Sequence, residues 1–283
     1  MRIIKSVSEM QSYADSLRMA GNTIGFVPTM GALHEGHLSL IRKSIEKTDK
    51  TILSIFVNPT QFSPSEDFGK YPRDFERDEK LAEDLNVDVI FYPSNEMIYH
   101  DGHSTYTIVE KLSAQLEGES RPSHFKGVST VVNKLFNIVK PHIAFFGQKD
   151  AQQALIIKKM TADLNLDIDI FVCPTIREDD GLAMSSRNIY LSPDSRKQAP
   201  LIHQALKEAE SLHLNGEKNP EMLIRKITDT LNSAPIARID YLSIVNSETL
   251  LPVESTNEGA LVVVAVFFEK TRLIDNILLT TSK

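Results

Sequence analysis

The chain has 283 residues, 41% of them hydrophobic and 24% charged, which is the balance of a folded protein with one large domain or two of ordinary size. Its net charge of −7 excludes a general attraction for nucleic acid, so a bound polyanion must meet a local cluster of Lys, Arg and His. The longest apolar run, residues 260–268, is far shorter than the roughly 20 residues that cross a bilayer. We therefore expect neither a nucleic-acid partner nor a membrane partner.

Cysteine use and the N-terminal residues both bear on location. The one cysteine, Cys173, cannot form an intrachain disulfide, as is typical of proteins in a reducing compartment. Cys173 lies in the apolar run IDIFVCP, which favours a packed core thiol over a nucleophile. The first residues lack the long apolar segment of a signal peptide. These features predict a cytoplasmic protein.

Short β-rich runs alternate with helical stretches through the first part of the chain. The runs are TIGFVP, TILSIFVNP, VDVIFYP, IAFFG and LDIDIFVCP. The helical stretches are HLSLIRKSIEKT, DFERDEKLAEDL, GVSTVVNKLFNIV and AQQALIIKKMTADL. This alternation predicts an α/β fold with a doubly wound parallel sheet, in which ligands bind outside the carboxyl ends of the strands.

The pattern changes after about Leu191. Two amphipathic helical segments, SPDSRKQAPLIHQALKEAESLHLNG and NPEMLIRKITDTLNSAP, precede three strand-like runs, IDYLSIVN, ALVVVAVFF and TRLIDNILL. We predict a second, smaller α+β domain. The boundary is placed near Thr175, giving domains of residues 1–175 and 176–283.

The stretch FVPTMGALHEGHLSL places His34 and His37 beside two glycines, between a strand-like run and a helix start. Two exposed or core histidines are one interpretation, and a shared zinc ion is another, although HEGH lacks the spacing of the metalloprotease pattern. The third interpretation is an anion site, where both imidazoles donate hydrogen bonds to phosphate at a helix N-terminus.

Two further polar clusters contain groups that suit a nucleotide. In AFFGQKDAQQA, Lys149 suits a phosphate, and Asp150 suits either a helix cap or ribose hydroxyls. In DDGLAMSSRNIYLSP, two serines and Arg187 suit phosphate oxygens. An ordinary capped turn and an ordinary surface loop are the respective alternatives.

Two other segments are notable, one for amides that suit a small polar substrate and one for its density of cations. VNPTQF carries Asn58 and Gln61 at the end of an apolar run, where Asn-Pro is otherwise a simple turn signal. RPSHFKGV carries Arg121, His124 and Lys126, which otherwise form a solvated basic loop.

Six segments in order carry a resemblance to a known family: PTMGALHEGH, SIFVNPTQF, YPR, RPSHFKGV, FFGQKDAQQ and MSSRN. Over essentially the whole chain, the sequence resembles the pantothenate synthetases. HEGH resembles the HxGH signature of nucleotidyltransferases and class I aminoacyl-tRNA synthetases, and MSSR resembles their second phosphate-binding signature.

The resemblance implies a ligase that uses ATP and Mg²⁺. The pantoate carboxylate attacks the α-phosphorus and pyrophosphate leaves; the β-alanine amine then attacks the enzyme-bound pantoyl adenylate and AMP leaves. It also implies a Rossmann-like first domain, a second domain acting as a lid, and a homodimer, for which TILSIFV and VDVIFYP offer apolar surface. Another nucleotidyltransferase, or a non-catalytic nucleotide-binding regulator, is the alternative function.

The resemblance also implies roles for individual residues. The catalytic residues are His34, His37, Lys149 and Arg187. The ATP-binding residues are Pro28, Met30, His34, His37, Gly147, Lys149, Asp150, Met184, Ser185, Ser186 and Arg187. The pantoate-binding residues are Gln61, Gln153, Asn58 and Arg121. Within YPRDFERDEK, Arg77 replaces an acid found in some relatives, so Asp78 is the carboxylate predicted to associate with Mg²⁺.

Overall fold

The computed structural model describes residues 1–63 and 68–280. The chain divides into two compact units, Met1–Pro174 and Thr175–Lys283. This division lies one residue from the predicted boundary. None of the helices in the described ranges is long and apolar enough to cross a membrane.

Unit 1 contains six strands in the ranges that the structure describes. They are β1 Arg2–Ile4, β2 Ile24–Thr29, β3 Lys50–Ile55, β4 Val89–Phe91, β5 Ile143–Gly147 and β6 Asp169–Cys173. Its helices are α1 Val7–Met19, α2 Glu35–Lys47, α3 Phe75–Asp84, α4 Asn95–Ile98, α5 Glu110–Ser113, α6 Glu117–Ser120, α7 His124–Val139 and α8 Ala151–Asp163. Two short 3-10 helices span Pro59–Gln61 and Gln148–Asp150.

All six strands are parallel, in the order β1-β4-β3-β2-β5-β6. The chain winds outward from β2 to β4 in one direction and then restarts at β5 on the other side of β2. The order therefore reverses between β2 and β5, and ligands of open α/β sheets bind at such a switch point. This confirms the predicted α/β fold with a parallel sheet.

Helices cover both faces of this sheet. Val27 belongs to a buried cluster with Leu38 and Ile41 of α2, whereas the neighbouring Phe26 meets Phe136 of α7 edge to face. Consecutive strand residues point to opposite faces, so these contacts lie on opposite sides of β2. Burial on both faces explains why the predicted runs are almost continuously apolar.

Unit 2 combines helices with an antiparallel sheet. Its helices are α9 Pro193–Gln198, α10 Leu201–Leu214 and α11 Pro220–Asn232, and its strands are β7 Ala237–Val245, β8 Ala260–Phe268 and β9 Thr271–Leu279 in the order β7-β8-β9. The central strand β8 is buried along almost its whole length, and its alternate residues from Ala260 to Phe268 share one core with α10 and α11. A small α+β unit was predicted here, and the structure confirms it.

Three expectations differ from the structure. Strand β1 was not predicted, because three residues carry too little periodicity to be recognised. The first helical segment of unit 2 is divided between α9 and α10 at Pro200, which cannot donate a backbone hydrogen bond. The runs proposed as dimer surface form β3 and β4, which lie inside the sheet order and are buried, so these strands do not offer a free apolar face.

Candidate active site

The turn between β2 and α2 presents both predicted histidines. After Thr29 the backbone enters the left-handed region at Gly31 (φ +80°) and again at Ala32 (φ +51°), and His34 is the N-cap of α2. The ladder between β2 and β5 stops at Phe26, so Pro28, which has no N–H, lies beyond the last pair. The histidines thus stand at the end of β2 where the strand order reverses.

The two imidazoles are held by backbone amides. Nδ1 of His34 accepts from the N–H of Gly36 at 3.2 Å, and Nδ1 of His37 accepts from the N–H of His34 at 3.3 Å. The ring centroids are 4.1 Å apart. Because Nδ1 is an acceptor in both rings, the proton of each neutral imidazole lies on Nε2, which is then a donor.

Both imidazoles are poised to be neutral near pH 7. Burial, followed by the nearby Lys149 ammonium, lowers the pKa of His34 to about 4. Burial, His34 and Lys149 lower the pKa of His37 to about 3. The pair therefore offers two neutral N–H donors at the N-terminus of α2, where the helix dipole also favours an anion.

The end of β5 supplies the second part of the site. Gly147 ends the strand, and the short 3-10 helix that follows carries Lys149 and Asp150. Lys149 lies close enough to both imidazoles to lower their pKa values, and its Nζ is 3.7 Å from Oδ1 of Asp150. Asp150 occupies the N-cap position of α8 without making a side-chain cap bond, so the capping alternative is wrong.

Asn58 is engaged entirely within the protein. Its Nδ2 donates to Oε1 of Gln61 and to the carbonyl of Gly127, each at 3.1 Å, and its Oδ1 accepts from Thr60 and Tyr99. Its exposed fraction is 1%. Both amide hydrogens and the amide oxygen of Asn58 are therefore engaged within the protein, and the side chain orients Gln61. Asn58 has no remaining donor for the predicted direct contact with pantoate.

Gln61 contacts two of the other predicted pantoate residues, Asn58 and Arg121. Its Nε2 donates to Sδ of Met30 at 2.9 Å. The backbone carbonyl oxygen of Gln61 is 2.9 Å from Nδ1 of His124 and accepts from Nη2 of Arg121 at 3.5 Å. The structure thus brings Gln61, Met30 and Arg121 together.

Gln153 is half-buried on α8, and its side chain makes no hydrogen bond to another residue within 1–63 and 68–280. Its contact with pantoate stays a prediction. Thr60, Tyr99 and His124 support the same region but were not predicted as site residues. Thr60 and His124 carried a sequence signal, since they lie in the segments VNPTQF and RPSHFKGV, whereas Tyr99 lies in no such segment.

Asp78, predicted to associate with Mg²⁺, is almost fully buried. Its oxygens accept the backbone N–H groups of Ala32 and Leu33 in the histidine turn. Burial raises the pKa of the Asp78 carboxyl, and the two N–H groups oppose that rise. The described residues hold no group of three or more His, Cys, Asp or Glu that would form a metal cage.

In unit 2, the segment that follows Thr175 forms a short antiparallel bridge between Arg177 and Ala183. The bridge leads into Met184 and then Ser185, whose hydroxyl caps the 3-10 helix Ser186–Tyr190 by accepting from the N–H of Arg187. Residues 176–190, here called the serine–arginine loop, therefore have a defined local conformation.

The serine–arginine loop is braced by cations from within unit 2. Arg177 makes a bidentate pair with the buried carboxylate of Asp275, at 2.6 and 3.0 Å. Arg196 bridges Glu178 and Asp180. These contacts fix the start of the loop and leave its 3-10 helix partly exposed.

A parallel sheet with imidazoles, a lysine and a helix N-terminus at its switch point defines an α/β protein whose site suits an anionic ligand such as a phosphate. Comparison with known families sharpens this. The model of the pantoate-beta-alanine ligase family matches residues 2–278. The chain belongs to this family.

Relatives resemble the chain over its full length. The pantothenate synthetase of Thermotoga petrophila is 54% identical over 99% of this chain and 100% of its own, and that of Acetivibrio thermocellus is 52% identical over 98% and 99%. The crystal structure of the Thermus thermophilus enzyme has a TM-score of 0.94 at 42% identity, covering 99% of this chain and 100% of its own. The Francisella tularensis ligase, complexed with beta-gamma ATP and beta-alanine, has a TM-score of 0.81 at 38% identity, covering 100% and 99%.

Proposed function

We propose that this chain joins pantoate to β-alanine in two steps at the switch point of unit 1. A pantoate carboxylate oxygen attacks the α-phosphorus of ATP, and the bond to the pyrophosphate leaving group breaks. The β-alanine amine then attacks the acyl carbon of the pantoyl adenylate, loses a proton, and AMP leaves. The observation that carries this proposal is the pair of imidazoles at the N-terminus of α2, each accepting a backbone N–H at Nδ1, which leaves Nε2 as the donor toward a ligand.

The first step needs no nucleophile from the protein, because the substrate carboxylate is one. The protein must bring two anions together and stabilise the charge that builds on the phosphate oxygens. His34 and His37 would donate to these oxygens as neutral groups, which their lowered pKa values favour. Lys149, held near both rings, would supply the positive charge.

Neighbouring groups would hold the two organic parts. Gln61, oriented by Asn58 and Met30, and Gln153 would donate to or accept from pantoate. Arg121, which donates to the Gln61 backbone carbonyl, would attract the carboxylate of pantoate. The Asp150 carboxylate, which makes no cap bond, would accept from ribose hydroxyls.

Unit 2 would contribute the serine–arginine loop. Ser185, Ser186 and Arg187 present hydroxyls and a guanidinium, the groups that bind phosphate. As a lid over the acyl adenylate, this unit would exclude water from a hydrolysable intermediate. Met184 would pack beside the nucleotide. Pro28 and Gly147 lie near the ends of β2 and β5 in unit 1 and would contact the nucleotide at the switch point.

The proposed metal is Mg²⁺, which when bound to ATP neutralises charge on the triphosphate and pyrophosphate. Since the described residues form no protein cage, phosphate and water would supply most ligands, as Mg²⁺ ordinarily prefers. We also propose a homodimer in the cytoplasm, on the strength of the family resemblance and the cysteine use.

The test is AMP release from ATP, Mg²⁺ and pantoate, with and without β-alanine. Release that depends on both organic substrates supports the ligase. Pyrophosphate release that instead requires an alcohol or a nucleotide acceptor supports another nucleotidyltransferase, and ATP binding without turnover supports a regulator. Zinc at one equivalent in protein purified without added metal would favour the zinc interpretation.

A further inference from the structure

The backbone of the histidine turn is unusual for its sequence. Gly31 and Ala32 are both left-handed, and only glycine adopts that region without a steric penalty. A left-handed alanine persists where surrounding contacts over-determine it. Something outside the turn must therefore hold Ala32, two residues before His34.

That support comes from α3, about 45 residues further along the chain. Oδ2 of Asp78 accepts from the N–H of Ala32 at 2.8 Å, and Oδ1 accepts from the N–H of Leu33 at 2.7 Å. A Cβ on Gly31 would come within 2.9 Å of Oδ2. The neighbouring Arg77 donates from Nη1 to the Leu33 carbonyl at 2.9 Å. Both sides of Leu33 are thus held by α3.

We propose that Asp78 is a positioning residue for adenylation, acting by clamping the turn that orients His34 and His37. The inference deepens the proposed function and rests on it. The connection is direct: Leu33 precedes His34, and the N–H of His34 is the donor that fixes Nδ1 of His37. Releasing the clamp leaves the buried N–H of Leu33 and the part-buried N–H of Ala32 without an acceptor, and lets the turn move.

This assignment differs from a direct metal role. A ligand of the metal would, when replaced, raise the Mg²⁺ concentration required for half-maximal rate. A clamp would, when replaced, lower kcat and disturb the imidazoles while the Mg²⁺ requirement stays the same.

The main variant is Asp78→Asn, which keeps size and one acceptor but turns an amide donor toward the second N–H. The matched control is Asp74→Ala. Asp74 caps the same helix by accepting from the N–H of Arg77 at 3.1 Å, so its loss weakens α3 without removing an acceptor from the turn.

The first readout is imidazole ¹⁵N NMR at pH 7, which reports the tautomer without any turnover. Wild type should show the Nε2–H tautomer at both histidines. In Asp78→Asn, both should show a mixture of tautomers, while Asp74→Ala should keep the wild-type signals. This readout holds even if wild type proves inactive as a ligase, so failure of the clamp and failure of the proposed function are distinguishable.

The second readout is the kinetics of AMP release. Asp78→Asn should lower kcat by about 10–10²-fold with little change in the pantoate KM, the scale of a small misplacement of catalytic groups. Asp74→Ala should stay within about twofold of wild type.

Three results would overturn the clamp: unchanged tautomers with unchanged kcat in Asp78→Asn, an equal loss in Asp74→Ala, or a tenfold higher Mg²⁺ requirement in Asp78→Asn. If Asp78→Asn does not fold, Arg77→Ala decides, because its side chain is largely exposed and donates to the other side of Leu33. A tautomer mixture in Arg77→Ala supports the clamp, and wild-type signals contradict it.

Discussion

The histidine turn of unit 1 and the serine–arginine loop of unit 2 are both expected to meet phosphate, yet they are built differently. The turn is held by hydrogen bonds of its backbone with its own imidazoles, with the buried Asp78 carboxylate and with Arg77, and its imidazoles are half-buried. The loop is held by arginine–carboxylate pairs, and its 3-10 helix leaves Ile189 69% exposed.

The difference between the two segments indicates two ways of meeting a phosphate: the turn presents fixed neutral donors, and the loop presents hydroxyls and a guanidinium. Donors that must meet a developing charge act best when they are fixed before the reaction, which the turn achieves with backbone hydrogen bonds. Near the start of the loop, Arg177 and Arg196 make ion pairs, whereas Ile189 in its 3-10 helix is exposed.

The largest expected effect comes from removing the ion pair between Arg177 and Asp275 at the start of the loop. Arg177→Ala should lower the free energy of unfolding of unit 2 by about 3–5 kcal/mol, because it leaves the Asp275 carboxylate buried without its cation. Urea unfolding followed by circular dichroism measures this. Arg196→Ala, which removes a more exposed pair, is the control and should cost about 1 kcal/mol or less. Equal losses in the two variants would contradict the distinction.

The next effect tests the turn as the fixed donor site. His34→Ala and His37→Ala should each lower the adenylation rate by about 10²–10³-fold, the cost of losing one preorganised donor. Single-turnover formation of pyrophosphate from ATP and pantoate measures the chemical step. Rates within a few-fold of wild type, in variants with native circular dichroism, would remove the histidines from that role.

A pH titration sharpens the comparison, because only the turn depends on neutral imidazoles. The pKa values of His34 and His37 lie below the usual 6.5, so the unfolded chain takes up protons first as the pH falls. Their contribution to stability is present above about pH 6.5 and is lost progressively toward pH 4 and 3.

The measurement is urea unfolding of wild type and His37→Gln at pH 6.5 and pH 5. The free energy of unfolding of the wild type should fall by up to about 2 kcal/mol more than that of the variant across this interval. This follows because one proton of difference between the folded and unfolded states is worth about 1.4 kcal/mol per pH unit. The hydrogen bond from Arg196 lowers the pKa of Asp180, so the ion pair between Arg196 and Asp180 should persist between pH 6.5 and pH 5. An equal loss in both proteins would place the titrating group elsewhere.

The smallest effect concerns a residue outside both segments. Gln153→Ala should raise the pantoate KM by about tenfold with little change in the ATP KM, as expected for loss of a ground-state contact. Gln152→Ala is an unsuitable control because its buried amide holds the Leu112 and Gln115 carbonyls. Lys158→Ala, on an exposed turn of the same helix, is a better one. An unchanged pantoate KM in Gln153→Ala would exclude this residue from the pantoate pocket.

Much of the fold could be predicted because strands and helices are indicated by the hydrophobic pattern of neighbouring residues. The runs that became β2, β5 and β8 are apolar over the lengths that two-sided burial requires. The candidate site followed from the same reasoning, since polar residues after β2, β3 and β5 lie at one edge of a parallel sheet.

The sequence by itself determined the α/β class, the approximate division near Thr175, the family and the set of residues expected at the switch point. Only the tertiary structure decided what Asp78 and Asn58 contact and which nitrogen of each imidazole is the donor. The reason is physical. Hydrophobic periodicity is a property of neighbouring residues, whereas the Leu33–Asp78 and Asn58–Gly127 hydrogen bonds join residues 45 and 69 positions apart, so no local spacing records them. The hydrogen bonds to the imidazoles span two or three residues, but they depend on the backbone conformation of the turn, which periodicity does not encode.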